Sequence, residues 1–453
     1  MRTTDPMFAP DVTLKAIRSA FFDFVDDPFY ASDAQSVRYL PDGLLVLENG
    51  YVKELGDYET LAARYPDIPT IAYPDKLIMP GFIDIHIHSA QTEMIGAYGE
   101  QLLDWLNGYA FPIEAKFKDK GYADQLAEIF IDQLLKHGTT TAMVFATVAP
   151  QSAEAVFEAA QRRKMRMIVG KVMMDRNAPD FLLDTAQQSY EETKALIQTW
   201  HKCDRLLYAV TPRFAITSTS QQLQMAGKLL EEFPDVYMHT HLSENKKEIE
   251  LTAELFPECT DYLNVYERFG LLNERSIFAH CIHLSDSEFE RLSQAKAAIA
   301  FCPTSNLFLG SGLFKIETAK SSHSPIKVAL ATDVGGGTSF SMLKTASEAY
   351  KVAQLRRQQL SAFKLLFLAT LGAARALMLD DKIGSFDHGK EADFIVLDLQ
   401  ATPIMALRNP TATAHSIAEL AEKLFATIIL GDDRSILATY VAGDLAYCQT
   451  SVK

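Results

Sequence analysis

At 453 residues, 48% hydrophobic and 22% charged, the chain is large enough for one big core or two to three domains, and its composition excludes wholesale disorder. Fifty-eight acidic side chains against 43 basic ones leave a formal charge of −15, a field that repels phosphate backbones and anionic lipid, so neither nucleic acid nor a membrane is expected as a partner. Five scattered cysteines without a C-x-x-C pair, no apolar core in Met1–Asp11, and an apolar stretch Leu365–Leu379 that is short and interrupted by Arg375 lead us to expect a soluble cytoplasmic protein.

In chain order, residues 1–80 begin with a hairpin pattern. Gly43–Leu47 and Tyr51–Leu55 are strand-like and flank a turn at Glu48–Gly50. From Gly81 apolar runs alternate with helix-period segments, the sign of parallel βα units. The runs are Phe82–His88, Thr140–Phe145, Met167–Met173, Leu206–Thr211, Val236–His241, Ser276–His280, Ala297–Phe301 and Lys327–Thr332. Between the first two, Leu126, Ile129, Phe130 and Leu134 share one helix face and Gly138 stops the helix. Capping-box spacings at Ser189/Glu192 and Ser285/Glu288 mark two further helix starts. Eight such units predict an α/β fold with a (β/α)8 TIM-like barrel over 81–385, whose chemistry lies at the C-terminal strand ends. Asp393–Leu397 and Ser435–Val441 read as strands, so 386–453 joins 1–80 in a small composite β-sandwich domain.

The chemistry-bearing residues fall at those strand ends. His86 and His88 form an H-x-H pair whose spacing of two puts both imidazoles on one side of a strand, about 7 Å apart. His241, His280 and Asp333 close the fifth, sixth and eighth units, and His239 shares the parity of His241, so spacing alone allows either as a ligand. Imidazoles with a carboxylate suit Zn2+, with Fe2+ as the alternative, and an ion with an open position lowers the pKa of bound water to about 7, making a hydroxide nucleophile. Glu244, three residues after His241, is placed to move protons. Lys171 lies on strand three, whereas in barrel hydrolases with two metals the bridging carboxylated lysine comes from strand four; that strand here ends at Arg213, which favours a single ion. Gly335–Gly337 lacks the Lys-Ser/Thr of a phosphate loop, and no G-x-G-x-x-G follows any strand, which removes the main support for a dinucleotide enzyme.

These motifs resemble the amidohydrolase superfamily over nearly the whole chain. The general signals are Pro80-Gly-Phe-Ile-Asp-Ile-His-Ile-His, the strand-end His241, His280 and Asp333, and the closing Gly384 and Gly389-Lys-Glu-Ala-Asp-Phe. Gly99-Glu-Gln-Leu-Leu-Asp-Trp-Leu, Phe111-Pro, Thr211-Pro-Arg-Phe, His241-Leu-Ser-Glu and Cys302-Pro-Thr-Ser-Asn-Leu-Phe-Leu-Gly-Ser-Gly narrow the resemblance to the guanine deaminase family. It implies one zinc ion held by His86, His88, His241 and Asp333, with His280 beside the water and the substrate. It also implies Gln91, Arg213 and Phe214 on a purine, His88 and His241 flanking it, Glu244 as proton shuttle, and a homodimer.

The implied substrate, guanine, has an acceptor at O6 beside a donor at N1, which the amide of Gln91 and the donors of Arg213 can match; adenine reverses that pattern. Unmatched polar groups in a buried site discriminate by about 10⁴ to 10⁵. The implied reaction is hydrolysis at C2 to xanthine and ammonia, with Glu244 protonating N3 and then the amino group while Asp333 and His280 serve the water. Another amino-substituted ring, a pterin or triazine, would use the same metal set, and a non-catalytic scaffold of the same fold is a rival from a different class.

Overall fold

The computed structural model describes residues 14–99 and 102–449. Glu100 and Gln101 of the motif opening at Gly99 lie outside the described residues.

The strands, in chain order, are β1 (Leu14–Phe24), β2 (Val37–Glu48), β3 (Tyr51–Asp57), β4 (Thr70–Pro80), β5 (Phe82–His88), β6 (Thr139–Phe145), β7 (Arg166–Gly170), β8 (Val172–Met173), β9 (Leu206–Pro212), β10 (Tyr237–Leu242), β11 (Ser276–His280), β12 (Ala298–Phe301), β13 (Lys327–Leu330), β14 (Phe394–Leu397), β15 (Ile436–Val441) and β16 (Asp444–Cys448). β5, β6, β7, β9, β10, β11, β12 and β13 pair in parallel, each with the next. The ring closes where Asp333 donates its backbone N–H to His86 (3.0 Å) and His88 donates to Val334 (2.9 Å). This is the (β/α)8 barrel. Its lumen is packed with small and branched residues, among them Ile83, Ile85, Ile168, Ala209, Ala279, Ala300 and Ala329, and the helix Leu371–Ala376 adds Ala373 and Ala374 to the same cluster. So filled, the interior is a core and leaves the upper rim for a ligand.

Three local readings change. Met167–Met173 is two strands, because the chain breaks at Lys171 and β8 pairs separately with β9. At the break Gly170 lies so close to β9 that a Cβ would meet Thr211 Oγ1 at 1.9 Å. The helix expected from Ser189 begins at Ala186, capped by Thr185, whose side chain accepts from Gln188; Ser189 is inside the first turns and buried. Ile129 is on the exposed face of Lys120–Lys136, while Ile131 and Leu135 join Leu126, Phe130 and Leu134 in the core. The Ser285/Glu288 capping box forms as read, and Gly138 ends its helix at φ +80°.

The two ends of the chain share one seven-stranded sheet in the order β16-β15-β14-β4-β1-β2-β3. Asn49 and Gly50, at φ +53° and +86°, make the two-residue turn between β2 and β3, a conformation that selects Asn-Gly. Alternation splits the sheet's faces: Ile17, Phe21, Leu45 and Leu47 pack with Phe386, Phe394 and Tyr440, whereas Ala16, Leu44 and Val46 pack with Leu61. Arg166 and Arg205 at the base of the barrel both reach Glu391 beside β14, at 2.8 and 3.0 Å from their Nε atoms.

Candidate active site

The upper rim gathers the titratable residues that sequence places at strand ends. In β5 a register irregularity between Asp84 and Ile87 shifts the parity. Ile83 and Ile85 point into the lumen, yet His86 and His88 also face the site and Ile87 packs outside. Such an irregularity re-aims side chains next to active sites. At the ends of β10, β11 and β13 the backbone takes left-handed turns at Ser243 (φ +50°), His280 (+70°) and Asp333 (+50°), a strain that the surrounding hydrogen bonds hold in place. Asp84, fully buried, accepts from the backbone N–H groups of His86 and Thr332 and from the Thr332 hydroxyl, so it pins β5 to the turn that carries Asp333.

One ligand atom from each of His86, His88, His241 and Asp333 lies within 4.8 Å of the others. Asp333 Oδ1 is 3.2 Å from His86 Nε2 and 3.4 Å from His88 Nε2, and the Nε2 atoms of His88 and His241 are 3.3 Å apart. The other ring nitrogens are occupied. His241 Nδ1 donates to the carbonyl of Arg213 (2.7 Å), and His86 Nδ1 meets His239 Nε2 at 2.8 Å. His86 Nε2 is buried without a hydrogen-bond partner, an arrangement that a cation satisfies. Burial lowers the pKa of His88 to about 4 and pushes those of His86 and His241 down too, so the rings are neutral and ready to ligate at neutral pH. Burial raises Asp333, but the neighbouring His86 outweighs it and holds the carboxylate well below its usual range. The residues present therefore fit a divalent ion.

A second grouping, His86, His280, Cys302 and Asp333, shares two members with the first. Burial pushes the Cys302 thiol well above its ordinary pKa, and its Sγ contacts the carbonyl of Ala300 at 3.4 Å, so it is a poor thiolate donor there. His280 is oriented by Asn306, with Nδ1 2.8 Å from Oδ1, which leaves Nε2 facing Glu244 Oε2 at 3.4 Å and Asp333 Oδ2 at 3.7 Å. Glu244 is buried. Desolvation, with the charge of Asp333, raises its carboxyl to about 8 against a hydrogen bond from Ser311 (3.0 Å) that lowers it. Burial thus favours the uncharged carboxyl.

Gln91, Arg213 and Phe214 line the same cavity as this cluster, with Gln91 Nε2 3.4 Å from His88 Nδ1, and Leu102, Trp105 and Leu106 add apolar lining. Gln91 Nε2 donates to Glu114 Oε1 (3.0 Å), Gln91 Oε1 accepts from the N–H of Gly335 (3.1 Å), and Arg213 Nη1 donates to Glu114 Oε2 (2.7 Å). The guanidinium of Arg213 lies 5.2 Å from the ring centre of Phe111. Phe214 sits edge-on to His241 at 6.0 Å.

All nine residues picked out at the rim come together. Sequence reasoning missed Glu114, Ser311, Asn306 and the role of His239 behind His86. Glu114 had a readable signal, since it is a charged residue in the apolar run Tyr109-Ala-Phe-Pro-Ile-Glu. Lys171 is no part of the cluster; its ammonium is buried and bound by Asp184 (2.7 Å), Glu192 (3.2 Å) and Ser189 (3.4 Å).

Residues 77–446 match the amidohydrolase family. The guanine deaminase of Escherichia coli (strain K12) is 52% identical over 445 residues, 97% of this chain and 99% of the relative. The solved E. coli guanine deaminase superposes with a TM-score of 0.93, at 51% identity and covering 96% of this chain and all of that one. A guanine deaminase from C. acetobutylicum, solved with guanine in its active site, gives a TM-score of 0.86 at 28% identity, covering 96% and 100% of the two chains. The chain belongs to the amidohydrolase family and, within it, groups with the guanine deaminases.

Proposed function

We propose that this protein hydrolyses guanine to xanthine and ammonia. The observation that carries the reading is that one cavity is lined both by the His/Asp cluster with the buried carboxyl of Glu244 and by the amide of Gln91 with the guanidinium of Arg213. Near-full-length similarity to relatives named guanine deaminase supports the choice of substrate.

His86, His88, His241 and Asp333 would hold the ion, and a donor set of three imidazoles and one carboxylate favours Zn2+, with Fe2+ as the alternative. When bound, the ion supplies the Lewis acidity that lets a water react at neutral pH. The chain's own residues do the rest. Gln91 and Arg213 take the O6/N1 edge of the purine, so that C2 faces the cluster, while Phe214 and the apolar wall exclude bulk water. Asp333 accepts the proton of the attacking water and His280, held by Asn306, hydrogen-bonds it. Glu244 gives its proton to N3 as C2 becomes tetrahedral, takes the proton of the new C2 hydroxyl and hands it to the departing amino group as the C–N bond breaks, and the proton held by Asp333 restores Glu244 for the next turnover. Ammonia leaves and xanthine remains.

The reading includes a cytoplasmic homodimer. Among the described residues no helix is long and apolar enough to cross a membrane, and all five cysteines are free, which suits a reducing compartment; the dimer rests on family resemblance. The test is an ultraviolet assay of purified protein with guanine, adenine and a pterin. Conversion of guanine to xanthine with little action on the others is expected, and turnover of the pterin without guanine would overturn the assignment.

A further inference from the structure

Both side chains that would read the substrate are held by one buried carboxylate, and the way it holds them has consequences for selectivity. Glu114, on the short helix Phe111–Glu114, is 2% exposed, as are Gln91 and Arg213. Its two oxygens divide their work, Oε1 on Gln91 Nε2 and Oε2 on Arg213 Nη1. On the far side of the Gln91 amide, Oε1 takes the N–H of Gly335. An amide between a carboxylate and a backbone N–H cannot turn over, because the flipped form would set oxygen against carboxylate and N–H against N–H.

We infer that Glu114 is a specificity-determining positioning residue, which locks the donor–acceptor polarity of Gln91 and cancels the charge of Arg213. The inference rests on the reading that Gln91 and Arg213 contact the purine. A free glutamine amide can rotate to suit either guanine or adenine, so a glutamine discriminates only when its orientation is fixed from behind. Charge matters for the product. Xanthine ionises near neutral pH and guanine does not, and an Arg213 without a counter-charge would retain the xanthine anion. Paired with Glu114, the wall presents donors without net charge, so it binds a neutral lactam and lets the acidic product go.

The test is Glu114→Gln, compared with the parent for guanine turnover, competitive inhibition by adenine, and inhibition by xanthine from pH 6 to 9. The expected result is that KM for guanine rises more than kcat falls. The ratio of the adenine inhibition constant to the guanine KM should drop by about tenfold or more, and xanthine inhibition should tighten as pH rises. If this variant does not fold, Glu114→Asp carries the test: it keeps the charge but cannot span both partners, so the adenine ratio should drop while xanthine inhibition keeps the parent's pH dependence. An unchanged adenine ratio in a folded variant overturns the lock, and unchanged xanthine behaviour in Glu114→Gln overturns the charge role. Gln91→Met and Arg213→Met separate the two levels. If these leave guanine KM unaltered, the underlying pocket assignment fails; if they raise it while the Glu114 variants behave like the parent, only the present inference fails.

Discussion

His241 donates its Nδ1–H to the backbone carbonyl of Arg213 at 2.7 Å, so the end of β9 sets the tautomer of an imidazole at the end of β10. Arg213, whose guanidinium lines the cavity, thereby aims the neighbouring Nε2 at the His/Asp cluster through its backbone carbonyl. The His/Asp cluster and the cavity lining at Arg213 are thus built on one hydrogen-bonded frame.

One divalent ion per chain is expected by elemental analysis, because the two convergent groupings share His86 and Asp333 and the second adds a thiol that burial keeps protonated. His86→Ala should lose the ion, since one of few ligands disappears. Chelation should lower the melting temperature and added Zn2+ restore it; a free ion at a thousand times its Kd stabilises by about 4 kcal/mol. Two ions per chain would falsify the single-ion reading.

Glu244→Gln should keep its metal and lose at least about 10²-fold in kcat, because the amide retains the shape of the carboxyl but carries no transferable proton. Metal per chain and kcat are best measured on one preparation. A kcat within a few-fold of the parent would remove Glu244 from the proton path.

The pH profile has a definite sign. With Glu244 as the proposed acid, activity should fall as pH rises through its pKa, which a bound cation would hold at or below about 8 by favouring the carboxylate. The Ser311 hydroxyl donates to the ionised form and lowers that pKa. Ser311→Ala should therefore move the alkaline limb of the kcat profile upward, by up to about one unit. A limb that stays in place or moves down would contradict the assignment.

Lys171→Met should cost stability with little effect on metal content. The substitution removes the cation paired with the buried Asp184 carboxylate, and breaking a buried ion pair from one side typically costs about 3–5 kcal/mol. Denaturant unfolding of the metal-loaded protein measures it. Lost metal at unchanged stability would place Lys171 in the catalytic centre after all.

The barrel was legible because its strands are short apolar runs, several of which end at or near a residue with chemistry, as at His88, His241, His280 and Asp333. What escaped was positioned by tertiary contact and not by period. Ser189 and Glu192 have capping-box spacing, yet both turn toward the buried ammonium of Lys171 and the cap is Thr185. Glu114 lies in an irregular stretch of short helical turns between β5 and β6, where no strand end points to it. Its partners, 23 positions before it and 99 after, become neighbours only through the fold.

The shared sheet of the two chain ends also sets an order of assembly. β4 pairs with β1 on one edge, but its other edge is completed only by β14, after the whole barrel has been made. At ribosomal speeds of about 5–20 residues per second, the intervening stretch keeps Thr70–Pro80 half-paired on the nascent chain for roughly 15–60 s. For that interval the growing polypeptide carries an open β edge of the kind that invites aggregation. Production of this protein should accordingly depend on how well that edge is shielded during synthesis.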